Sequence, residues 1–299
     1  MTDQTVSLFL NPTAGRGRAG QRVARIKQLF LDSGLQLNVI ESCAVGDLES
    51  KVAAHVNAGE QIIVVAGGDG SIHEAVNGLL RADESAALGI IPTGTGNDFA
   101  KACDITLDWE QACSSLAERI KTNQMLRRID VGRMNDRYFA NGVGIGFEAK
   151  VTKVARAYRW PIGDFVYLLA ILRCLYDGVA TPELAIDAEQ IQRRGPVTLT
   201  SICNGSWVGG MFNIAPMARN DDGLLELLIA APVSRLRVLS LLPKLMRGKH
   251  MHEPEIEHYS VTSVRITSAA PVESHLDGEV QPLQETFEIE IRAAALDLL

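Results

Sequence analysis

The chain has 299 residues, a hydrophobic fraction of 46%, a charged fraction of 22% and a formal net charge of −7. These values are typical of a soluble globular protein with one large or two ordinary domains, and they exclude disordered and fibrous chains. The acidic balance gives no overall attraction to nucleic acid or anionic lipid, so contact with either would require a local patch.

The cysteines and the apolar segments predict where the protein is located. The five cysteines are widely spaced and form no zinc or redox motif, which is typical of a reducing cytoplasm. The N-terminus does not resemble a signal peptide. Residues 165–172 are apolar but far shorter than the roughly 20 residues that span a bilayer. We therefore expect a cytoplasmic protein that is soluble or peripheral at the membrane.

The first half of the chain alternates predicted strands and helices. Short apolar runs predict strands at residues 6–10, 37–40, 62–66 and 88–91, and amphipathic spacing predicts helices at 19–33, 48–58 and 72–80. This order predicts a parallel sheet covered by helices, with ligands at the carboxyl ends of the strands. The loops after strands one, three and four should then meet at one edge.

The loop after the third strand reads Gly67-Gly68-Asp69-Gly70-Ser71 and opens a helix. Its glycines can take positive φ and lack a Cβ, so the backbone can approach a phosphate and direct N–H groups at it. Asp69 would repel phosphate unless a cation lies between them, and the loop has no Walker-type lysine. This predicts Mg²⁺. The alternative is an ordinary turn in which Asp69 caps the helix.

The loop after the fourth strand, residues 92–98, carries two threonines, two glycines, Asn97 and a second carboxylate, Asp98. The side chains offer short donors, and Asp69 and Asp98 could hold one Mg²⁺ directly or through its waters. The alternative is a plain turn with Asn97 or Asp98 as a helix N-cap.

The loop after the first strand spells a dinucleotide fingerprint at Gly15, Gly17 and Gly20, and Glu41 stands where a ribose-binding acid would be. This pattern would indicate a dehydrogenase. Residues 11–14 separate the strand from the first glycine, however, whereas the fingerprint needs that glycine in the strand's own turn. A flexible loop with solvated arginines is the simpler alternative.

An ordered set of motifs carries a resemblance to a known family. The set comprises Asn11-Pro12 with Gly15, the stretches 67–74 and 94–100, Asn204-Gly205, Ala215-Pro216, residues 220–224, residues 248–250 and Asp277-Gly278-Glu279. Together they resemble the diacylglycerol kinase catalytic-domain family of lipid kinases, across essentially the whole chain. Ser71 stands where the family usually has threonine, and both residues carry a hydroxyl.

The resemblance implies an ATP- and Mg²⁺-dependent kinase that transfers the γ-phosphate to the hydroxyl of diacylglycerol or a related lipid. It implies an α/β nucleotide-binding domain at 1–127, a β-sandwich lipid-acceptor domain at 128–291, and a final segment, about 292–299, that packs back on the first domain. It implies a nucleotide site made of Asn11, Pro12, Gly15, Ser42, Gly67, Gly68, Asp69, Gly70, Ser71, Ile72, His73, Glu74, Thr93, Gly94, Thr95 and Asn97.

The second half changes character. Short β-rich segments separated by glycine and proline predict strands at 129–134, 138–142, 197–203, 224–229, 261–267 and 286–291, with a helical insertion from about 150 to 177. This pattern predicts an antiparallel β domain.

Asp277-Gly278-Glu279 is the acid–base candidate. A lipid hydroxyl that attacks a phosphate needs a positioned proton acceptor. The resemblance assigns that role to Asp277, with Glu279 assisting or orienting. Spacing alone favours a hairpin turn of the Asp-Gly type.

Asp222 lies in a second acidic turn. By resemblance it binds a structural Mg²⁺ with the main-chain carbonyls of Arg219 and Leu224, an oxygen set that suits a hard cation. A solvated loop is the alternative.

Two stretches could contact a membrane. Arg156, Tyr158, Arg159 and Trp160 combine charge with interfacial aromatics, and residues 235–249 mix leucines with five basic residues. Each could equally be a helix packed on its own domain. The sequence leaves open the acceptor lipid, a monomer or a homodimer, and two alternative functions: an NAD kinase and a non-catalytic lipid- or nucleotide-binding protein.

Overall fold

The four predicted strands of the first half lie side by side and parallel in one sheet, in the order second, first, third, fourth. The computed structural model describes residues 4–13, 17–124, 127–158, 163, 165–189 and 191–299. The chain divides into two compact units, one comprising Met1–Ile129 with Ala294–Leu299 and the other comprising Asp130–Ala293.

The first unit follows the predicted βαβα order, with most elements one to three residues longer than predicted. The strands are β1 (Gln4–Leu10), β2 (Leu35–Glu41), β3 (Ile62–Gly67) and β4 (Ala87–Pro92). The helices are α1 (Arg18–Asp32), α2 (Asp47–Asn57), α3 (Asp69–Arg81), α4 (Asp98–Ala102) and α5 (Trp109–Thr122).

β3 lies at the centre of this sheet, between β1 and β4. Its apolar run is buried on both faces because helices cover the sheet, and Ile63, Val64 and Val65 are fully buried. The end of the chain joins the same sheet, since Leu298 pairs in parallel with Leu88 of β4 and Leu299 enters the core. The first unit therefore has the predicted α/β architecture.

The second unit begins within β5 and consists largely of antiparallel strands. The strands are β5 (Arg127–Met134), β6 (Arg137–Phe139), β7 (Gly142–Gly146), β8 (Glu183–Ala188), β9 (Ile191–Pro196), β10 (Leu199–Cys203), β11 (Trp207–Val208), β12 (Phe212–Asn213), β13 (Leu225–Ala230), β14 (Ile256–Val261), β15 (Ser263–Val272), β16 (Ser274–Leu276), β17 (Glu279–Val280) and β18 (Gln284–Leu298). The helices are α6 (Phe147–Ala157), α7 (Phe165–Asp177) and α8 (Arg235–Met246).

Two antiparallel sheets form a β-sandwich. One has the order β14-β13-β10-β7-β16-β17, and the other contains β18, β15, β8 and β9 with β5 and β6. Alternate residues of β13, Leu225, Leu227 and Ile229, enter a shared core with Ile266 and Phe287 of the facing sheet. The predicted antiparallel sandwich is confirmed.

The helices of the second unit pack on the outer face of one sheet. α6, α7 and α8 contribute to one apolar cluster that includes Val151, Ile171, Val238 and Leu242. The predicted insertion at 150–177 is two helices, and the segment between them lies mostly outside the described residues, including Arg159 and Trp160. No helix in the described part of the chain is long and apolar enough to cross a membrane.

The predicted strand at 138–142 is wrong. β6 ends at Phe139 and β7 begins at Gly142. The backbone N–H groups of Ala140 and Asn141 donate to the carboxylate of Asp277 instead of to a neighbouring strand. A side chain from a distant turn thus splits one β-rich run into two strands, which the local sequence does not indicate.

Candidate functional site

The three loops at the carboxyl edge of the parallel sheet lie together, as the chain order predicts. Nη2 of Arg18, the first residue of α1, donates to Oγ1 of Thr95 after β4 at 3.1 Å. The N–H of Phe99 after β4 donates to Oδ1 of Asp69 after β3 at 3.0 Å. Side chains from the three loops therefore converge at the N-termini of three helices, a favourable position for anions.

Glycine is required here by close approach of two backbones. A Cβ on Gly68 would lie 2.9 Å from Cα of Gly94, and a Cβ on Gly94 would lie 2.4 Å from Cα of Gly68. The expectation that these glycines use positive φ is wrong for Gly68, whose φ is −105°. The left-handed residue is Asn97, with φ 51°, and its Oδ1 accepts from the N–H of Gly94 at 3.0 Å. Asn97 thus closes its own loop.

The two aspartates occupy different environments. Oδ1 of Asp69 caps the N-terminus of the neighbouring helix α4 through Phe99, which links two phosphate-loop candidates. Asp98 is buried and forms an ion pair with Nζ of Lys101 at 3.1 Å. Lys101 therefore places a positive charge beside the loops. The sequence had predicted a metal ion as the only cation there.

Several other predicted nucleotide residues hold the loops in shape. Oδ1 of Asn11 accepts from the N–H and hydroxyl of Thr13, at 2.9 and 2.6 Å. The N–H of Ser42 donates to the carbonyl of Leu10 at 2.9 Å, and Ser42 is buried. The buried hydroxyl of Thr93 contacts no hydrogen-bond partner among the described residues. The hydroxyl of Thr93 is thus a buried group beside the converging loops that could donate a hydrogen bond to a ligand.

Three of the predicted nucleotide residues, Ile72, His73 and Glu74, lie in the first turns of α3. Oε2 of Glu74 accepts from the N–H of Leu48 in the first turn of α2 at 3.1 Å. His73 is buried, as is Ile72. The structure thus gives Glu74 a helix-capping contact, while the loop residues Gly67, Gly70 and Ser71 remain at the helix N-terminus.

The dinucleotide alternative for the first loop is not supported by its geometry. A turn at Asn11, Pro12 and Thr13 follows β1, and Gly17, at φ 84°, precedes α1. Gly15, the first glycine of the fingerprint and a predicted nucleotide residue, lies outside the described residues. The described part of the loop does not put a fingerprint glycine in the turn directly after the strand.

Asp277 lies in a two-residue hairpin turn between β16 and β17. Asp277 and Gly278 have φ of 50° and 84°, and Leu276 pairs with Glu279 across the turn. This is the Asp-Gly hairpin that spacing alone favours. The carboxylate of Asp277 also accepts three backbone N–H groups: Ala140 at 2.8 Å, Asn141 at 2.8 Å and Gly142 at 2.9 Å. The turn and the acid–base candidate are the same feature.

Arg156 of α6 secures the other end of the turn. Its Nη1 lies 2.6 Å from Oε1 of Glu279 and donates to the carbonyl of Gly278 at 3.0 Å. Glu279 is therefore placed by an ion pair. Arg156, one of the residues that could contact a membrane, also holds this turn.

A buried polar cluster of His275, Glu148 and Ser201 contacts the Asp277-Gly278 turn. The N–H of Gly278 donates to Nδ1 of His275 at 3.3 Å, and Nε2 of His275 lies 3.2 Å from Oε1 of Glu148. Because Nδ1 accepts, a neutral His275 carries its proton on Nε2 and donates it to Glu148. Ser201 donates to the other oxygen of Glu148. Sequence reasoning missed this cluster, since its members lie far apart in the chain.

The predicted structural metal site lies in the loop at residues 220–224, which is held by hydrogen bonds. Oδ1 of the exposed Asp222 accepts from the N–H of Leu224 at 3.0 Å. Oδ2 of the buried Asp130 accepts from the N–H of Gly223 at 2.7 Å, and the N–H of Asp130 donates to the carbonyl of Asn220 at 2.7 Å. Asp130 therefore shapes the loop, and a lone acid within a predicted strand gave no sequence signal for that role.

The donors at both acidic sites fit a hard cation. Asp69, Asp98 and Asp222 offer carboxylate oxygens, the ligand type that Mg²⁺ prefers. Among the described residues no group of three or more His, Cys, Asp or Glu side chains could hold a metal on its own. A kinase-type Mg²⁺ needs only one or two carboxylates, because phosphates and waters complete its shell.

An apolar cavity of about 130 Å³ lies in the second unit beneath α6, α7 and α8. Its wall is almost entirely hydrocarbon, with Val151, Ile171, Leu199 and Leu242 among the lining side chains, and Glu148 also lines it. Because Glu148 contacts His275, the cavity and the Asp277 turn share a wall.

His250 closes another side of this cavity. Its ring is buried, and Nε2 lies 2.9 Å from the carbonyl of Ile214. Burial lowers the pKa of His250 and outweighs the opposing effect of that hydrogen bond. His250 is therefore a neutral lining residue, which gives the Gly248-Lys249-His250 motif a packing role.

Family comparisons agree with this arrangement. Residues 5–134 match the diacylglycerol kinase catalytic domain, and residues 141–299 match the YegS C-terminal NAD kinase beta sandwich-like domain. The fold and site thus define a two-domain phosphotransferase with an alcohol acceptor. The chain belongs to the diacylglycerol kinase catalytic-domain family of lipid kinases, in the branch that carries the YegS-type second domain.

Relatives align over nearly the whole chain. A diacylglycerol kinase of Bacillus subtilis is 28% identical over 273 residues, covering 91% of this chain and 88% of its own. One of Staphylococcus saprophyticus is 26% identical over 279 residues, with the same shares. A crystal structure of a diacylglycerol kinase from Bacillus anthracis has a TM-score of 0.73 at 20% identity, covering 100% of this chain and 97% of that one, which supports the fold.

Proposed function

We propose that this chain is an ATP- and Mg²⁺-dependent lipid kinase that transfers the γ-phosphate of ATP to the hydroxyl of diacylglycerol or a closely related lipid. The observation that carries the lipid assignment is the apolar cavity beneath α6, α7 and α8. A hydrocarbon wall excludes sugars and nucleotides and suits part of an acyl chain. Its shared wall with the Asp277 turn would bring the lipid hydroxyl to that turn.

The nucleotide is assigned to the converging loops of the first unit. The close contact between Gly68 and Gly94 keeps the two loops together at the start of α3 and α4, where phosphates are favoured. Arg18, Lys101 and the buried hydroxyl of Thr93 add donors. This set supports the phosphates of ATP without a Walker-type lysine.

Asp69 and Asp98 would hold the catalytic Mg²⁺, and Asp222 with the carbonyls of Arg219 and Leu224 would hold a structural one. A bound Mg²⁺ neutralises charge on the transferred phosphoryl group and orients the phosphates. Lys101, which is paired with Asp98, would add positive charge beside the phosphates.

Asp277 is proposed as the proton acceptor. In the transfer, the acceptor oxygen forms a bond to the γ-phosphorus, the bond from that phosphorus to the β-phosphate oxygen breaks, ADP leaves and the hydroxyl proton passes to the carboxylate. Three backbone donors hold the carboxylate in one orientation. Glu279, bound by Arg156, would orient the turn rather than take the proton.

The enzyme would work in the cytoplasm and take its acceptor from a membrane surface, as part of phospholipid metabolism. Its five cysteines are free thiols, which fits a reducing compartment. A homodimer stays a prediction.

An acceptor panel tests the proposal. Purified chain is mixed with radiolabelled ATP and, separately, with diacylglycerol, monoacylglycerol and sphingoid bases in detergent micelles, with and without chelation of Mg²⁺. We expect one glycerolipid to be phosphorylated much faster than the others, and transfer to stop on chelation. Absence of transfer to every acceptor would overturn the proposal.

The same assay separates the alternatives. NAD as the acceptor would yield NADP if the chain were an NAD kinase, and the lipids would stay unlabelled. A non-catalytic binding protein would bind ATP or lipid in calorimetry without labelling any acceptor. Each result is distinct from the labelled lipid that we expect.

A further inference from the structure

Two helices of the second unit expose an apolar stripe. On α7 the stripe consists of Phe165, Leu169, Leu172 and Tyr176, whose exposed fractions are 64%, 36%, 44% and 77%. Their spacing of four, three and four residues puts them on one face. The opposite face, with Ala170, Ile171, Cys174 and Leu175, is buried in the cluster below.

α8 repeats this arrangement. Leu236, Leu239 and Met246 are exposed by 79%, 38% and 41%, and the exposed Pro243 completes a spacing of three, four and three residues. Val238 and Leu242 are buried in the same cluster that receives α7. Single exposed leucines need no explanation, but two apolar stripes on helices that cover one cavity do.

Charge distinguishes the kinds of partner that could cover these stripes. α8 contains no acidic residue, and Arg235, Arg247 and Lys249 at its ends are exposed. The nearby acids Glu253 and Glu255 are bound to Arg237 and Lys244 of the helix. At α8, a chain with a net charge of −7 thus presents a locally basic, apolar surface, whereas on α7 Arg173 is paired with Asp177.

We propose that the exposed stripes of α7 and α8 dock on an anionic phospholipid bilayer. Basic residues at the edge of an apolar helix face are attracted to anionic headgroups while the apolar side chains enter the acyl boundary. The buried faces of the same helices line the apolar cavity through Tyr167, Ile171, Val238 and Leu242. This inference rests on the proposed lipid kinase function, because a docked bilayer would supply the acyl chain directly to that cavity.

Vesicle sedimentation tests the surface. The full chain is mixed with equimolar phosphatidylglycerol and phosphatidylcholine vesicles, or with vesicles of phosphatidylcholine alone. We expect binding to the anionic vesicles and little to the neutral ones. Replacing Leu236 and Leu239 together with glutamate, or Phe165 and Leu172 together, should weaken binding by roughly tenfold or more, since each removes buried hydrocarbon and adds repulsion.

Matched variants control for charge and folding. Leu31→Glu changes a leucine of α1 that is 56% exposed, and Lys27→Gln removes an exposed lysine from the same helix, so both should bind as the unchanged protein does. Arg247→Gln and Lys249→Gln should each weaken binding by roughly fivefold. If a variant with two glutamates does not fold, a variant with two serines at the same positions is used in its place.

Activity separates this surface from the proposed function. Toward a water-soluble short-chain diacylglycerol, the stripe variants should keep the unchanged rate, whereas toward diacylglycerol in anionic vesicles they should lose most of it. Vesicle binding that persists in both stripe variants would overturn the docking surface. So would light scattering that shows the unchanged chain as a dimer and the variants as monomers. Loss of vesicle binding without kinase activity in any form of the chain would instead overturn the proposed function and leave the surface intact.

Discussion

At the scale of single residues, the acidic side chains of the motifs serve different contacts. Asp277 accepts three backbone N–H groups, Asp69 caps a neighbouring helix and Asp98 pairs with Lys101. Glu74 caps α2. Each carboxylate is thus held by the fold in a defined orientation, which is what positioned proton transfer and metal binding require.

His275 tests whether the turn beneath Asp277 must be held in place. We expect His275→Phe to lower kcat by more than tenfold while leaving the affinity for ATP unchanged, because it removes the acceptor for Gly278 and the donor to Glu148. The free energy of unfolding should fall by about 1–3 kcal/mol. Steady-state kinetics and urea unfolding measure both. His252→Phe, at an exposed histidine, is the control, and a kcat near that of the control would rule out the positioning role.

Gly94 tests the contact between the two phosphate loops. Gly94→Ala would place a Cβ 2.4 Å from Cα of Gly68, so the loops must separate. We expect ATP binding, measured by calorimetry, to weaken by at least tenfold at a stability cost of about 1–3 kcal/mol. The reciprocal variant Gly68→Ala meets the same contact at 2.9 Å and should have the same effect. Unchanged ATP affinity in both variants would contradict the nucleotide assignment.

At the scale of elements, the sequence predicted the first unit better than the second. The strands and helices up to β4 follow local apolar periodicity, which reports directly on a parallel sheet covered on both faces. The strands β8, β9 and β14 were not predicted, because their short and partly polar patterns are stabilised by neighbours distant in sequence. The helix α5 was also missed, although its buried residues have helical spacing. The split between β6 and β7 depends on Asp277, far along the chain.

In the candidate site, too, the features that follow from chain order were predicted and those that depend on distant side chains were not. The order of the three glycine loops was enough to predict that they meet, because parallel strands share one carboxyl edge. Lys101, Arg156, His275 and Glu148 were missed as partners of the site residues. Their roles depend on which side chains the fold brings within hydrogen-bond distance, and no local pattern encodes that.

His250, in the segment after α8, should make the stability of the protein depend on pH. Burial lowers the pKa of His250, whereas in the unfolded chain it titrates near 6.5. The unfolded state therefore binds a proton first, so the stability that the neutral ring contributes is complete above pH 6.5 and is lost as the pH falls below it. We expect His250→Gln to flatten the loss of unfolding free energy below pH 6.5, by up to about 1.4 kcal/mol per pH unit.

Urea unfolding between pH 7 and pH 5 measures this slope. His252→Gln changes an exposed histidine two residues away and should retain the slope of the unchanged protein. A His250→Gln slope that matches this control would show that His250 does not titrate differently on unfolding.

At the scale of the whole molecule, the thiols report on the packing of both units. Cys43 is exposed and the other four cysteines are buried. Burial raises the pKa of Cys113 to about 12, with a smaller effect from Glu110, and also raises the pKa of Cys174 and Cys203. Since the thiolate is the reactive form, we expect one thiol to react with a disulfide reagent in the folded protein and five in denaturant. Cys43→Ser should abolish the reaction of the folded form, and rapid labelling of more than one thiol would contradict the packing.

We propose that the whole molecule transfers a phosphoryl group to a lipid hydroxyl, with Asp277 as the proton acceptor. The most direct measurement is the initial rate of phosphatidic acid formation from ATP and diacylglycerol by the unchanged chain and by Asp277→Asn, with ATP affinity measured in parallel. We predict that the rate falls by roughly 100- to 10,000-fold in the variant while ATP affinity stays the same, because the amide cannot take the proton. A variant that forms phosphatidic acid at the unchanged rate would contradict the account.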